Sequence, residues 1–167
     1  MAEENSLGSV DVSQSPAERF EEFLQSRGKR MTQSKRQLLD QVYSCHVHFD
    51  AESLIEQLPA SSEAGHIGRA TVYRVLNEFV DAGLLREFKL DGRRVYEHDY
   101  GYPQHDHLYC TQCQQLIEFE SDQLLNLVNS VARERRFRVS GHRLIISGIC
   151  QTCRQSKRRS RKPVDMV

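Results

Sequence analysis

The residues best equipped for chemistry lie in two short stretches, HDHLYCTQC from His105 to Cys113 and CQTC from Cys150 to Cys153. Cys110 and Cys113 form one Cys-x-x-Cys pair, and Cys150 and Cys153 form a second beyond the stretch Gln114–Ile149. Each pair suits a short loop that brings two thiolates to one ion. Together they make a closed four-sulfur set, and soft, closed sets of this kind favour structural zinc. A thiol redox motif needs only one pair and leaves the second unexplained. Cys45 has no partner at such a spacing and is expected to be an inert thiol.

The histidines ahead of the first pair raise a separate possibility. If His105–Cys110 is extended, His105 and His107 share one face while Asp106 takes the other. Glu118, in the adjacent run LIEFE, is then within reach across a strand pair, while Glu97 and His48 lie earlier in the chain. A single histidine is more often a surface or core residue than a ligand. A His-x-His next to a cysteine knuckle, with a carboxylate in reach, is a more specific signal. Such nitrogen and oxygen donors suit Fe(II), Mn(II), Zn(II), Co(II) or Ni(II) without selecting one of them.

Elements must hold these groups, and their signals are strong in the first half of the chain. Ser15-Pro16-Ala17-Glu18 is a helix start, with a capping serine, proline in the first turn and a carboxylate three residues on. Phe20, Phe23 and Leu24 form that helix's apolar face, and Gly28 ends it. Thr32 opens a second helix around Leu38, Leu39, Val42 and Tyr43, and Asp50 caps a short third that Pro59 stops. A fourth follows GHIG, with Val72, Val75, Leu76, Phe79 and Val80 at helical spacing. Next, LLREFKLDGRRVYEH predicts two strands around the turn Asp91-Gly92. Helices followed by a hairpin in this order predict a winged helix. The outward face of its fourth helix carries Ala70, Tyr73, Arg74 and Asn77, residues able to read bases or clamp phosphate, although a plain surface face has similar composition.

After the turn-rich YGYPQ come short strand-like runs, HDHLYC, LIEFE, FRVSGH and RLIISGIC, interrupted by a helix from Ser121 to about Arg136. The fold class expected is α+β: an N-terminal winged-helix DNA-binding domain, then a small C-terminal α/β domain with a four-cysteine zinc site. The expected divisions are a disordered tail at 1–15, the winged helix at 16–99, a hinge at 100–104, the metal-binding domain at 105–153, and a basic tail at 154–167. A unit as small as the second holds together poorly on its core alone and needs a staple or a partner subunit.

Composition narrows the function classes. In 167 residues the formal net charge is zero, yet RGKRMTQSKR (Arg27–Arg36) and RQSKRRSRK (Arg154–Lys162) carry only basic charge, and patches outweigh totals in binding a polyanion. No apolar run reaches membrane-span length, and the polar, acidic start MAEENSLGSVDVSQS is unlike a secretory signal. A cytoplasmic location is expected, where thiols stay reduced. Neither His-x-Glu with Pro-Cys-x-x-Cys nor His-Glu-x-x-His occurs, so a deaminase or zincin reading has no support and no enzyme is expected. A zinc-stapled protein-binding adaptor is the alternative from another class.

The combination of GHIGRATVYRVLNEFVDAGLL, VYEHDYGYPQHDHLYC and IEFE resembles the ferric uptake regulator family of metal-dependent repressors, over about Ser15 to Cys153. The resemblance implies that the C-terminal α/β domain at 105–153 is also the dimerisation domain, and that the homodimer binds AT-rich inverted repeats in double-stranded promoter DNA. It matches Cys110, Cys113, Cys150 and Cys153 to a structural Zn(II) site, and His48, Glu97, His105, His107 and Glu118 to a regulatory site. It matches Tyr73 and Arg74 to base- and backbone-contacting positions, and Arg30 to a residue that enters the minor groove. Of a further family site, Asp106 and His142 match, but Gln104 stands where a histidine is common and Leu125 where a glutamate is. Both regulatory carboxylates are Glu, as in iron-responsive members. The peroxide-sensing branch has Asp, and zinc-responsive members often add a Cys. The resemblance therefore points to Fe(II) regulation of metal-uptake genes, with a zinc- or peroxide-responsive regulator of the same family as the alternative.

Overall fold

The computed structural model describes residues 10–44, 48–60 and 65–159, with side chains through Ser156. Cys45 and the chain ends at 1–9 and 160–167 lie outside the described residues. The chain divides into two compact units, one of Gly8–Pro103 and one that takes in Gln104–Val167.

In the first unit, α1 (Pro16–Ser26) begins on a capping box: Ser15 Oγ accepts from the Glu18 amide at 3.2 Å, and Glu18 accepts from the Ser15 amide at 2.8 Å. α2 (Gln33–Ser44), α3 (Ala51–Glu56) and α4 (Arg69–Asp81) follow. Phe20 and Leu24 of α1, Leu38, Leu39 and Val42 of α2, Leu54 of α3, and Val72, Val75, Leu76 and Phe79 of α4 form one buried core. Phe20 meets the Phe79 ring edge-on at 4.7 Å. Full burial of each such side chain contributes roughly 1.5–3 kcal/mol, so the apolar spacing along α4 fixes which face is left outside.

β1 (Phe49–Asp50), β2 (Leu85–Leu90) and β3 (Arg93–His98) make an antiparallel sheet in the order β1-β3-β2. Asp91 and Gly92, at φ 48° and 79°, turn the hairpin with the positive angles that a two-residue loop requires. Val10–Gln14 departs from the tail expected at 1–15. The Val10 amide donates to the Gly101 carbonyl at 2.9 Å and the Tyr100 hydroxyl to the Gln14 carbonyl at 3.0 Å, while the Arg19 guanidinium lies 4.7 Å from the Tyr100 ring centre. Tyr100–Pro103 is thereby tied to the first unit.

The second unit contains β4 (Asp106–Cys110), β5 (Leu116–Phe119), α5 (Asp122–Glu134), β6 (Ile145–Gly148) and α6 (Gln151–Arg159). Its sheet runs β5-β4-β6, with β5 antiparallel and β6 parallel to β4. Two expectations fail here. FRVSGH forms no strand: Arg136 turns the chain at φ 52°, Phe137 is 69% exposed, and the segment pairs with no neighbour in the sheet. The chain beyond Cys153 is helical to Arg159: α6 starts directly after Cys150, and Cys153 sits in its opening turn rather than before a tail. Buried apolar side chains in this unit reduce to Tyr109, Cys110, Ala132 and Cys153 among the described residues. That core is thin, and the apolar residues Leu125, Leu127 and Val131 of α5 and Ile146 of β6 are exposed.

Candidate metal centres and nucleic-acid interface

The parallel pairing of β4 with β6 sets Cys110 opposite Gly148, and this register carries Cys150 and Cys153 to the first cysteine pair. A tight turn returns the chain after Cys110: the Gln114 amide donates to the Cys110 carbonyl at 2.8 Å, and Gln114 itself adopts φ 62°. All four sulfurs lie within 4.8 Å of one another, and Cys113 and Cys150 are 3.7 Å apart. A tetrahedral zinc with Zn–S bonds of about 2.3 Å places its sulfurs ~3.8 Å apart, so the spacing fits. Backbone amides of Cys150, Cys113 and Gln112 turn toward Cys110 and pull its thiol down to about 6. Burial, followed by the neighbouring thiols, pushes Cys153 up to about 12. One ionised sulfur thus disfavours ionisation of the next, and a divalent cation at the centre removes that opposition.

In the same sheet His107 lies directly across from Glu118, and His105 precedes it by two positions on the same face. Donor atoms of His105, His107 and Glu118 fall within 4.8 Å of one another. His105 Nε2 is 3.8 Å from Glu118, and the two imidazole rings are 4.9 Å apart. His107 is only 1% exposed. The first unit has its own pair, His48 Nε2 at 3.4 Å from Glu97, both largely shielded from solvent. These nitrogen and oxygen sets match the donor chemistry expected of a first-row divalent ion.

Asp106 faces away from this group. It accepts from the Leu144 amide at 2.8 Å and lies 3.1 Å from His142 Nε2, while Gln104 donates to the His142 carbonyl at 2.9 Å. Among the described residues no third donor joins Asp106 and His142 in a cluster. The pair anchors the segment at 137–144 to β4.

On α4, Tyr73 is 39% exposed, and Ala70, Arg74 and Asn77 are also exposed. Arg94 of the hairpin donates to Asn77 Oδ1 at 3.1 Å and pairs with Glu87 at 3.1 Å, which fixes the wing against the helix. Arg30 is exposed beside Lys29, whose ammonium meets Glu78 of α4 at 2.7 Å. Lys35 of α2 approaches the other oxygen of Glu78 at 2.9 Å. Glu78 and Lys35 are buried, so α4 is fastened electrostatically to the basic segment. Sequence reasoning missed these links, as it missed Glu52 of α3, which binds Arg69 and the Tyr73 hydroxyl. An acid in a helix's first turn reads as a complement to the helix dipole, and nothing local signals a partner 17 residues away.

Residues 26–147 match the model of the ferric uptake regulator family. The ferric uptake regulation protein of Campylobacter upsaliensis is 32% identical over 137 residues, spanning 81% of this chain and 87% of that one. The ferric uptake regulator of Francisella tularensis, solved with iron, is 30% identical, with a TM-score of 0.67 over 76% of this chain and 96% of that one. That of Pseudomonas aeruginosa, solved with manganese, is also 30% identical, with a TM-score of 0.63 over 77% and 95%.

Proposed function

This chain belongs to the ferric uptake regulator family of metal-responsive regulators, and on that premise we propose that it is an Fe(II)-dependent repressor. It acts in the cytoplasm as a homodimer on AT-rich inverted repeats in promoters of metal-uptake genes. The observation that carries the reading is the doubled use of β4, with His107 aligned to Glu118 and Cys110 in the sulfur cage three residues on. Cys110, Cys113, Cys150 and Cys153 hold Zn(II) permanently and take the place of the core that the second unit lacks. His48, Glu97, His105, His107 and Glu118 hold the regulatory ion, which when bound supplies one positive centre shared by donors from both halves of the chain.

The two groups of donors then keep one relative orientation. In a homodimer that orientation sets the spacing of the two α4 helices, which must meet major grooves ~34 Å apart or a multiple of it. Metal selects DNA-competent dimers only as far as these donors favour that orientation, a population shift. Tyr73 packs on bases, Arg74 contacts base edges or phosphate, and Arg30 enters the minor groove. The apolar side chains of α5 and β6 support the homodimer, since patches of that kind mark protein interfaces. Two glutamates and no thiol in the regulatory set resemble the iron-responsive members of the family, which supports iron. The same donors accept Mn(II), Zn(II), Co(II) or Ni(II), and metal supply joins geometry in deciding among them.

Anaerobic titration with Fe(II), Mn(II), Zn(II) and Ni(II), read out by binding to promoter DNA, tests the assignment. His107→Ala is expected to remain a folded, zinc-loaded dimer and to lose metal-dependent DNA binding. Undiminished metal-dependent affinity in that variant sinks the scheme.

A further inference from the structure

Glu52 lies in the first turn of α3, half-exposed, yet its carboxylate is committed to α4. The Arg69 guanidinium donates to it at 2.5 Å, and the Tyr73 hydroxyl donates to Oε1 at 2.6 Å. Arg69 and Tyr73 are one helical turn apart on the face left outside the core, the face assigned above to DNA. The short helix does not need Glu52 at its own start. Asp50 accepts from the Ser53 amide at 2.8 Å, and the Ser53 hydroxyl accepts in return from the Asp50 amide at 3.2 Å, so the cap is already complete. A negative charge on a surface that meets a polyanion opposes binding. Its presence calls for a compensating role.

Two consequences follow from the hydrogen bonds. Arg69, the first residue of α4, has its charge balanced within the protein and is held back from phosphate. The Tyr73 hydroxyl has given its only hydrogen to Glu52, so it offers acceptor lone pairs and an apolar ring, but no donor for phosphate oxygen. The bond with Tyr73, followed by that with Arg69, holds the Glu52 carboxyl below the usual range, so it stays ionised at neutral pH.

We propose that Glu52 is a specificity-determining positioning residue: it fixes the Tyr73 ring for base contact and withholds Arg69 from the backbone, so that sequence rather than charge decides where this face binds. The inference rests on the DNA-binding reading. It adds to that reading a prediction about discrimination, which general electrostatic attraction does not make.

The test uses the full-length, metal-loaded protein. A preferred duplex is first selected by the wild type from a random pool, and affinity for it and for a scrambled duplex is measured between 100 and 300 mM salt. Each phosphate contact adds about 0.9 to the slope of log K against log salt. With Arg69 released in both protomers, E52Q steepens the scrambled-duplex slope by about 1.8. The extra gain on lowering salt from 300 to 100 mM is then about sevenfold, and the preference for the selected duplex falls correspondingly. Adding Arg69→Ala to E52Q returns the slope to the wild-type value, an effect that a merely structural role for Glu52 does not produce. Unchanged slope and preference in E52Q overturn this inference alone. Failure of the wild type to select any sequence overturns the underlying DNA-binding reading instead.

Discussion

Glu78→Leu is the substitution whose cost follows most directly from the geometry. Glu78 is buried on α4 between Lys29, at 2.7 Å, and Lys35, at 2.9 Å. Lys29 is half-exposed and regains water when its partner is lost, but the Lys35 side chain is only 8% exposed and has no such recourse. Removing one partner of a buried pair typically costs about 3–5 kcal/mol, because the remaining charge stays desolvated. At roughly 4–8 °C per kcal/mol for a unit of this size, even the lower figure means a fall in Tm of about 12 °C or more. The double variant Lys35→Met/Glu78→Leu removes both charges and keeps the volume, and should recover most of that loss. Burial acts to raise the Glu78 carboxyl, but hydrogen bonds from Lys29 and Lys35 outweigh it and hold the group below its ordinary value. A depressed carboxylate stabilises fully above its unfolded pKa, about 4.3, and that contribution disappears as pH falls through the folded value. The wild type should therefore lose stability as pH falls below about 4.3, and Glu78→Leu should flatten that limb. Thermal melts followed by circular dichroism from pH 3 to 8 provide the assay. A fall in Tm below about 4 °C, or a double variant as unstable as the single one, refutes the reasoning.

Chelating the cage metal, or replacing Cys153 with serine, should abolish zinc retention and melt the second unit while the first keeps its own transition. Metal analysis alongside two-step thermal unfolding reads both effects. Leu127→Asp on the exposed face of α5, where Leu127 is 60% exposed, should shift sedimentation toward monomer and leave the zinc content unchanged. Gly92→Ala forces a side chain into φ 79° with open space around it, so its cost is purely backbone, about 1 kcal/mol. Urea denaturation measures it.

Much of the first unit is legible in the sequence, because its signals act over a few residues. The capping box at Ser15 ties side chains to backbone within one turn, the left-handed turn at Asp91-Gly92 depends on two residues, and the apolar face of α4 is a spacing repeated every turn. The cysteine pairs were equally plain, since Cys-x-x-Cys is a local constraint on two thiolates. Weaker signals failed where the outcome depended on a distant neighbour. FRVSGH is strand-like in composition, but the sheet has no place for it, and Asp106 ties that segment down through side-chain bonds instead.

Sequence alone therefore determined which residues were equipped for chemistry, which helix face stayed outside the core and where the hairpin turned. Tertiary structure decided which groups meet. The parallel register of β4 and β6 joins cysteine pairs 37 residues apart, the antiparallel register of β4 and β5 sets His107 on Glu118, and the packing of α3 on α4 delivers Glu52 to Arg69 and Tyr73. Local preferences depend on the bonds available within a turn of chain. Strand register and helix packing depend on the sum of many long-range burials, which no short stretch of the sequence encodes.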